Sequence, residues 1–394
     1  MSSEKSVNAS RFRNPRLRRR RAFRDAGLPP YSTVLVLFSL LGDIPVPLVN
    51  SLSLSSTSHS QTPVRVVTSD LFSSHKPPLG RKHPECPERV TLAIERLKTG
   101  SDTKDCVDFA TPRAEEDDAA REATLEAVLK VHDENYVFYL EALSEGGGGG
   151  LDADTYVAPL SFDIALLAQS AWLDATAHTI ATGRPSFALC RPPGHHALRD
   201  RGMGFCLFNF CTVAAVHALD DPESGVERVA MLDWDVHHGN GVAALVREDP
   251  RIRYVSLHEA ANFPSTPGSV SGAADDHGSF GNLLHLPMAS ESSWPQYEVL
   301  LREKALPWLQ EFKPDLVIVS AGFDALDLDP LARQTLEARD FSTMSLLLRE
   351  TLGDRIVLGL EGGYSLDPMG LPEAVAETIK ALAIPLPQIT GNRH

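Results

Sequence analysis

The chain has 394 residues, with 37 Lys and Arg against 52 Asp and Glu, for a formal net charge of −15. Residues 1–63 carry nine basic and three acidic groups, net +6, and the remainder carries 28 and 49, net −21. Such an acidic body is a poor direct ligand for nucleic acid, whose binding rests on Lys and Arg, and 43% hydrophobic residues in regular patterns exclude disorder throughout.

Residues 1–63 read as a leader. An Arg cluster between Arg11 and Arg24, an apolar patch at 34–41 and a Ser/Thr-rich stretch at 51–62 resemble a mitochondrial or plastid transit peptide. A polybasic nuclear signal with a nuclear or cytoplasmic address, or a signal-peptide core, are the competing readings. No apolar run reaches the ~18 residues of a membrane span. Five cysteines without a CxxC pair suggest free thiols in a reducing compartment. From Val64 the pattern predicts a strand at 64–70, a helix after Pro87 and another over 120–132. Gly146 to Gly150 reads as a flexible loop tip. Helices are expected at 162–182, 209–219, 240–248, 294–311, 340–352 and 371–383. Apolar strands are expected at 187–190, 228–235, 252–258, 283–288, 315–321 and 355–362. Uniformly apolar strands alternating with helices predict an α/β fold: one open, mostly parallel sheet with helices on both faces. The expected domain is 64–385, with a tail at 386–394.

The chemistry gathers at strand ends, where ligands bind in such sheets. In DWDVHHGNG (233–241), Asp233, Asp235 and His237 are spaced by two, so their side chains can share one side. Asp235 and His237, with Asp324 of AGFDA (321–325), would supply the three ligands a catalytic zinc needs. Any of these acids alone is more often a helix cap. RPPGHHA (191–197) sets His195 and His196 on a loop suited to proton transfer. Asp233 and Asn240, one charged and one neutral, are candidate partners that would push the two imidazoles apart in basicity. LEGGY (360–364) presents Tyr364, a phenol able to donate to an oxyanion.

Together with HPECPER (83–89), GFCLFN (204–209) and SLH (256–258), these motifs run in the order of the histone deacetylase superfamily, which the chain resembles from about residue 64 to 383. LEGGY and Asn240 are similar to its class II branch. The resemblance implies an arginase/deacetylase-like fold, one Zn²⁺ per chain on Asp235, His237 and Asp324, and hydrolysis of an N-acetyl-lysine amide in a protein or peptide. It implies His196 as base and acid oriented by Asn240, His195 as an electrostatic partner on Asp233, and Tyr364 as carbonyl-polarising donor. Phe205, Phe263, Gly204 and Leu331 would line the acyl-lysine tunnel, and Arg89 would stand at an acetate channel. Asp233, Asp235, His237, Ser256 and Leu257 would hold an inner K⁺. Leu331 stands where polyamine-selective relatives carry an acid, which favours acyl-lysine over small acetylated amines. A catalytically silent acyl-lysine reader is the other-class alternative, and an oligomer is left open. Phe210 and Val246 depart from the family's usual residues near a second cation site, and Cys206 reads as small-residue packing.

Overall fold

The computed structural model describes residues 62–260, 262–264 and 274–386. The leader lies outside them except for residues 62 and 63, as does the tail beyond 386. The elements are β1 (Val64–Val67), α1 (Glu88–Thr99), β2 (Val107–Ala110), α2 (Asp118–Val131), α3 (Glu134–Glu145), β3 (Gly149–Gly150) and β4 (Tyr156–Val157). There follow α4 (Ser161–Thr182), β5 (Ser186–Ala188), α5 (Phe210–Asp220), β6 (Val229–Asp233), α6 (Asn240–Val246), β7 (Ile252–Glu259) and β8 (Leu283–Met288). The last are α7 (Trp294–Leu300), α8 (Leu306–Phe312), β9 (Leu316–Ala321), α9 (Ala338–Leu352), β10 (Ile356–Leu360) and α10 (Leu371–Ala383). A π-helical turn, Leu301–Ala305, joins α7 to α8, so the helix expected at 294–311 is one continuous run.

Eight strands form one sheet in the order β2-β1-β5-β10-β9-β6-β7-β8, and every pairing in it is parallel. The mostly parallel α/β sheet is therefore present. The apolar runs follow from coverage of both faces. Val66, Phe187, Leu232, Val319 and Leu358 share one core with α1, α9 and α10. On the other side α4 packs on β1, β5 and β10, and carries buried Trp172. Pro87 opens α1 as expected, while Asp117 caps α2 by accepting from Ala119 N and Ala120 N.

Three elements escaped the pattern. β2 is a four-residue edge strand with half-exposed side chains, and α3 is rich in aromatic and β-branched residues of low helix propensity. The glycine run is more ordered than a loop tip: Gly146 caps α3, and Gly149–Gly150 pairs antiparallel with Tyr156–Val157. All five cysteines are free thiols. No helix among the described residues is long and apolar enough to cross a membrane.

The motif-bearing strands β5, β10, β9, β6 and β7 are consecutive in space, although 73 residues separate β5 from the end of β7 and β9 and β10 come later still. Their parallel arrangement brings all the carboxyl ends to one edge.

Candidate active site

The turn after β6 builds the centre. Trp234 and Val236 point into the core, fully buried, so Asp233, Asp235 and His237 take the opposite side. The turn satisfies its own backbone with carboxylates. Asp233 Oδ1 accepts from Asp235 N (3.1 Å), and Asp235 Oδ1 accepts from His237 N (2.9 Å). Asp324, on the loop leaving β9, accepts from Val236 N (2.9 Å), which ties the two strand ends together.

His237 Nδ1 lies 3.1 Å from Asp235 Oδ1 and 3.0 Å from Asp324 Oδ2. Ligand atoms of these three buried residues all fall within 4.8 Å of one another. Two carboxylates facing one imidazole nitrogen, with almost no solvent, are costly unless a cation sits among them. Against the effect of burial, the two acids raise the His237 imidazole well above its usual value. The set of two hard oxygens and one borderline nitrogen fits a divalent metal such as Zn²⁺. Space is kept for it by Gly362, where a Cβ would come within 2.0 Å of Asp324 Oδ2 and 2.6 Å of Asp235 Oδ2.

The two histidines of the loop after β5 face different partners. His195 Nδ1 donates to Asp233 Oδ2 (3.1 Å), and the Tyr254 hydroxyl donates to the same oxygen (2.8 Å). His196 Nδ1 donates to Asn240 Oδ1 (2.7 Å), which leaves Nε2 unprotonated in the neutral ring. Burial works against a charge on His195, but Asp235 and Asp233 push it up to about 10. For His196 burial and the neighbouring His195 and His237 act together, and it falls well below its usual value. One imidazole is held as a cation and its neighbour as a base.

The approach is walled by aromatic rings. Phe263 stands edge-on to His196 with ring centroids 4.9 Å apart, and Phe205 stands edge-on to Tyr364 at 5.6 Å. Gly204 lies between the walls with φ +56°, and a Cβ there would meet His196 at 2.5 Å and Phe263 at 2.8 Å. Phe205 is itself left-handed (φ 69°), held by Thr155 Oγ accepting from its N–H (3.0 Å). Tyr364 is 7% exposed, and its N–H donates to Asp329 Oδ2 (2.6 Å). Asp329 Oδ1 accepts from Leu331 N (2.9 Å), so one carboxylate anchors both the phenol and Leu331, whose carbonyl accepts from Asn262 Nδ2 (3.4 Å). The Arg89 guanidinium covers the Tyr364 ring at 4.6 Å and donates to Gly363 O (2.6 Å) and Glu361 O. Ser256 pairs in register with Asp233, and Leu257 beside it is fully buried. Cys206 is buried, and burial raises its thiol well above the usual range.

A histone deacetylase domain model matches residues 83–382. The chain belongs to the histone deacetylase family. An uncharacterized protein of Synechocystis sp. is 44% identical over 320 residues, covering 81% of this chain and 99% of that protein. Histone deacetylase 14, chloroplastic, of Arabidopsis thaliana is 36% identical over 76% of this chain and 73% of its own length. The solved HD domain of HDA15 superposes with a TM-score of 0.72 at 31% identity, covering 81% of this chain and 90% of that one. The chain is thus a family hydrolase, and a deacetylase centre is the frame for the residues above.

Sequence patterns missed several residues of this histone deacetylase centre. Tyr254 could have been found by strand alternation, two places before Ser256. Asp329 and Glu361 lay inside quoted motifs. Thr155 gave no signal, because its role arises from a loop 50 residues from Phe205.

Proposed function

We propose that the protein is a zinc-dependent hydrolase of N-acetyl-lysine in protein or peptide substrates, releasing acetate and free lysine. The observation that carries this is the convergence of Asp235, His237 and Asp324 beside a histidine pair with opposite charge preferences. A Zn²⁺ on those three residues would polarise the acetamide carbonyl and acidify water. His196 Nε2 removes a proton from the attacking water, with Nδ1 held by Asn240. Cationic His195, fixed on Asp233, lowers the energy of negative charge developing nearby. The Tyr364 hydroxyl donates to the oxyanion as the carbonyl carbon becomes tetrahedral. His196 then returns its proton to the leaving lysine nitrogen, and the C–N bond breaks.

The walls of Phe205 and Phe263 suit an apolar lysine stem. Leu331 offers no acid for an internal ammonium, and Glu259 in the same region is engaged by Asn262 and Arg333. These features support acyl-lysine over polyamines. We assign residues 64–385 to the deacetylase domain, Arg89 to an acetate exit, and the inner K⁺ to Asp233, Asp235, His237, Ser256 and Leu257. The Arg- and Ser-rich leader, with a chloroplastic relative, supports plastid import.

The test is turnover of an acetyl-lysine peptide and of acetylated polyamines by zinc-loaded protein. The expected result is a higher kcat/KM on the peptide, loss of activity on chelation and one zinc per chain. A preference for polyamines would reassign the substrate; chelator-resistant turnover would remove the metal.

A further inference from the structure

Glu361 is the first residue past β10 and is fully buried, yet no step above uses its side chain. Its Oε2 accepts from Gly194 N (2.6 Å) and His195 N (3.0 Å). In the loop Arg191-Pro192-Pro193-Gly194-His195-His196, the two prolines have no N–H to anchor. The next two amides are the first available donors, and both go to this one carboxylate. Its other oxygen, Oε1, has no partner among the described residues.

The backbone around Glu361 is equally committed. Glu361 N donates to Ala321 O (3.1 Å), and its carbonyl accepts from Arg89. Gly362 N donates to Asp235 Oδ2 (2.7 Å), and Tyr364 N to Asp329. The segment 361–364 therefore touches the metal-binding acids, the phenol and the histidine loop at once. Only the Glu361 side chain reaches the histidines.

We propose that Glu361 is a positioning residue for the reaction, its carboxylate holding the Gly194–His195 backbone so that the rings of His195 and His196 meet Asp233, Asn240 and the substrate. The inference rests on the deacetylase reading for its catalytic consequence. It acts through geometry: a shift of one peptide at His195 swings both rings, and misplacement of about 1 Å can cost a hundredfold in rate. Burial, opposed by His195, pushes the Glu361 carboxyl up to about 7. In the protonated form the proton occupies the unpartnered oxygen, and Oε2 remains the acceptor. Glutamine reproduces that arrangement. Aspartate keeps the acid but is one methylene short, and methionine keeps the bulk without an acceptor.

The experiment compares Glu361→Gln, Glu361→Asp and Glu361→Met in the full zinc-loaded chain on an acetyl-lysine peptide. It reads kcat, KM, zinc content and histidine ¹⁵N spectra. The expectation is that E361Q keeps kcat within about fivefold of the wild type. E361D and E361M should lose about a hundredfold in kcat with KM within threefold and zinc retained. The His195 and His196 ring signals should move in E361D and E361M and stay near the wild-type positions in E361Q. Undiminished kcat in E361M or E361D, or E361Q as slow as E361M, would overturn the proposal. Loss of zinc or of cooperative unfolding in both E361D and E361M would assign Glu361 to folding and overturn it equally. An inactive wild type would instead sink the deacetylase reading, while the ring signals would still decide whether Glu361 positions the histidines.

Discussion

His195 and His196 are adjacent and chemically identical, yet they are driven in opposite directions. The difference lies in their partners: Asp233 supplies a full negative charge at 3.1 Å, whereas Asn240 supplies only a carbonyl dipole at 2.7 Å. A cationic neighbour then depresses His196 further. This division was legible in the residues, because Asp233 and Asn240 flank the ligands in one short motif. Tyr364 has the complementary task, since burial raises its phenol well above the usual value and keeps it a donor. Tyr364→Phe should lower kcat by roughly 10²–10³, the range for loss of one oxyanion donor. Zinc content should stay at the wild-type level, and unchanged turnover would remove Tyr364 from the mechanism.

At the scale of elements, the site depends on how tightly helices clasp the sheet. β10 runs against α4, and a Cβ on Gly359 would fall 1.8 Å from Trp172 Cζ2. Gly359→Ala should destabilise the fold by about 3 kcal/mol, as overpacking does; the thermal midpoint checks it. A second joint links α2 to α5. His132, at the end of α2, donates from Nδ1 to Leu198 O (2.9 Å), and its Nε2 accepts from Asn209 N (2.9 Å) at the start of α5. Both bonds require a neutral ring. Burial, opposed by backbone carbonyls, depresses His132 to about 4, below the unfolded value of about 6.5. A depressed value means its contribution is complete above about pH 6.5 and is lost as pH falls through about 4. The thermal midpoint should therefore drop between pH 7 and 4.5, and His132→Gln should shrink that drop. Helices and apolar strands were readable from periodicity and length. β2 and α3 were not, since one is too short and the other is held by packing rather than propensity.

For the molecule as a whole, charge and chemistry separate. Every site residue lies between Arg89 and Tyr364, in the acidic part of the chain, while the basic leader is remote in sequence. Removing residues 1–61 should leave kcat/KM on an acetyl-lysine peptide within about twofold, and a larger loss would place the leader in catalysis. The acidic body also favours approach of cationic, lysine-rich polypeptides. The sequence by itself determined the family, the alternation of strands and helices, and the ligand set, because ligands sharing one strand end follow from local spacing. Only the tertiary structure decided which distant groups meet. Asp324 binds Val236 across 88 residues, and Glu361 grips the His195 loop across 166. Those meetings depend on β5, β10, β9 and β6 being neighbours in the sheet. Strand order results from how the helices pack and cross over, a global property that no local spacing encodes.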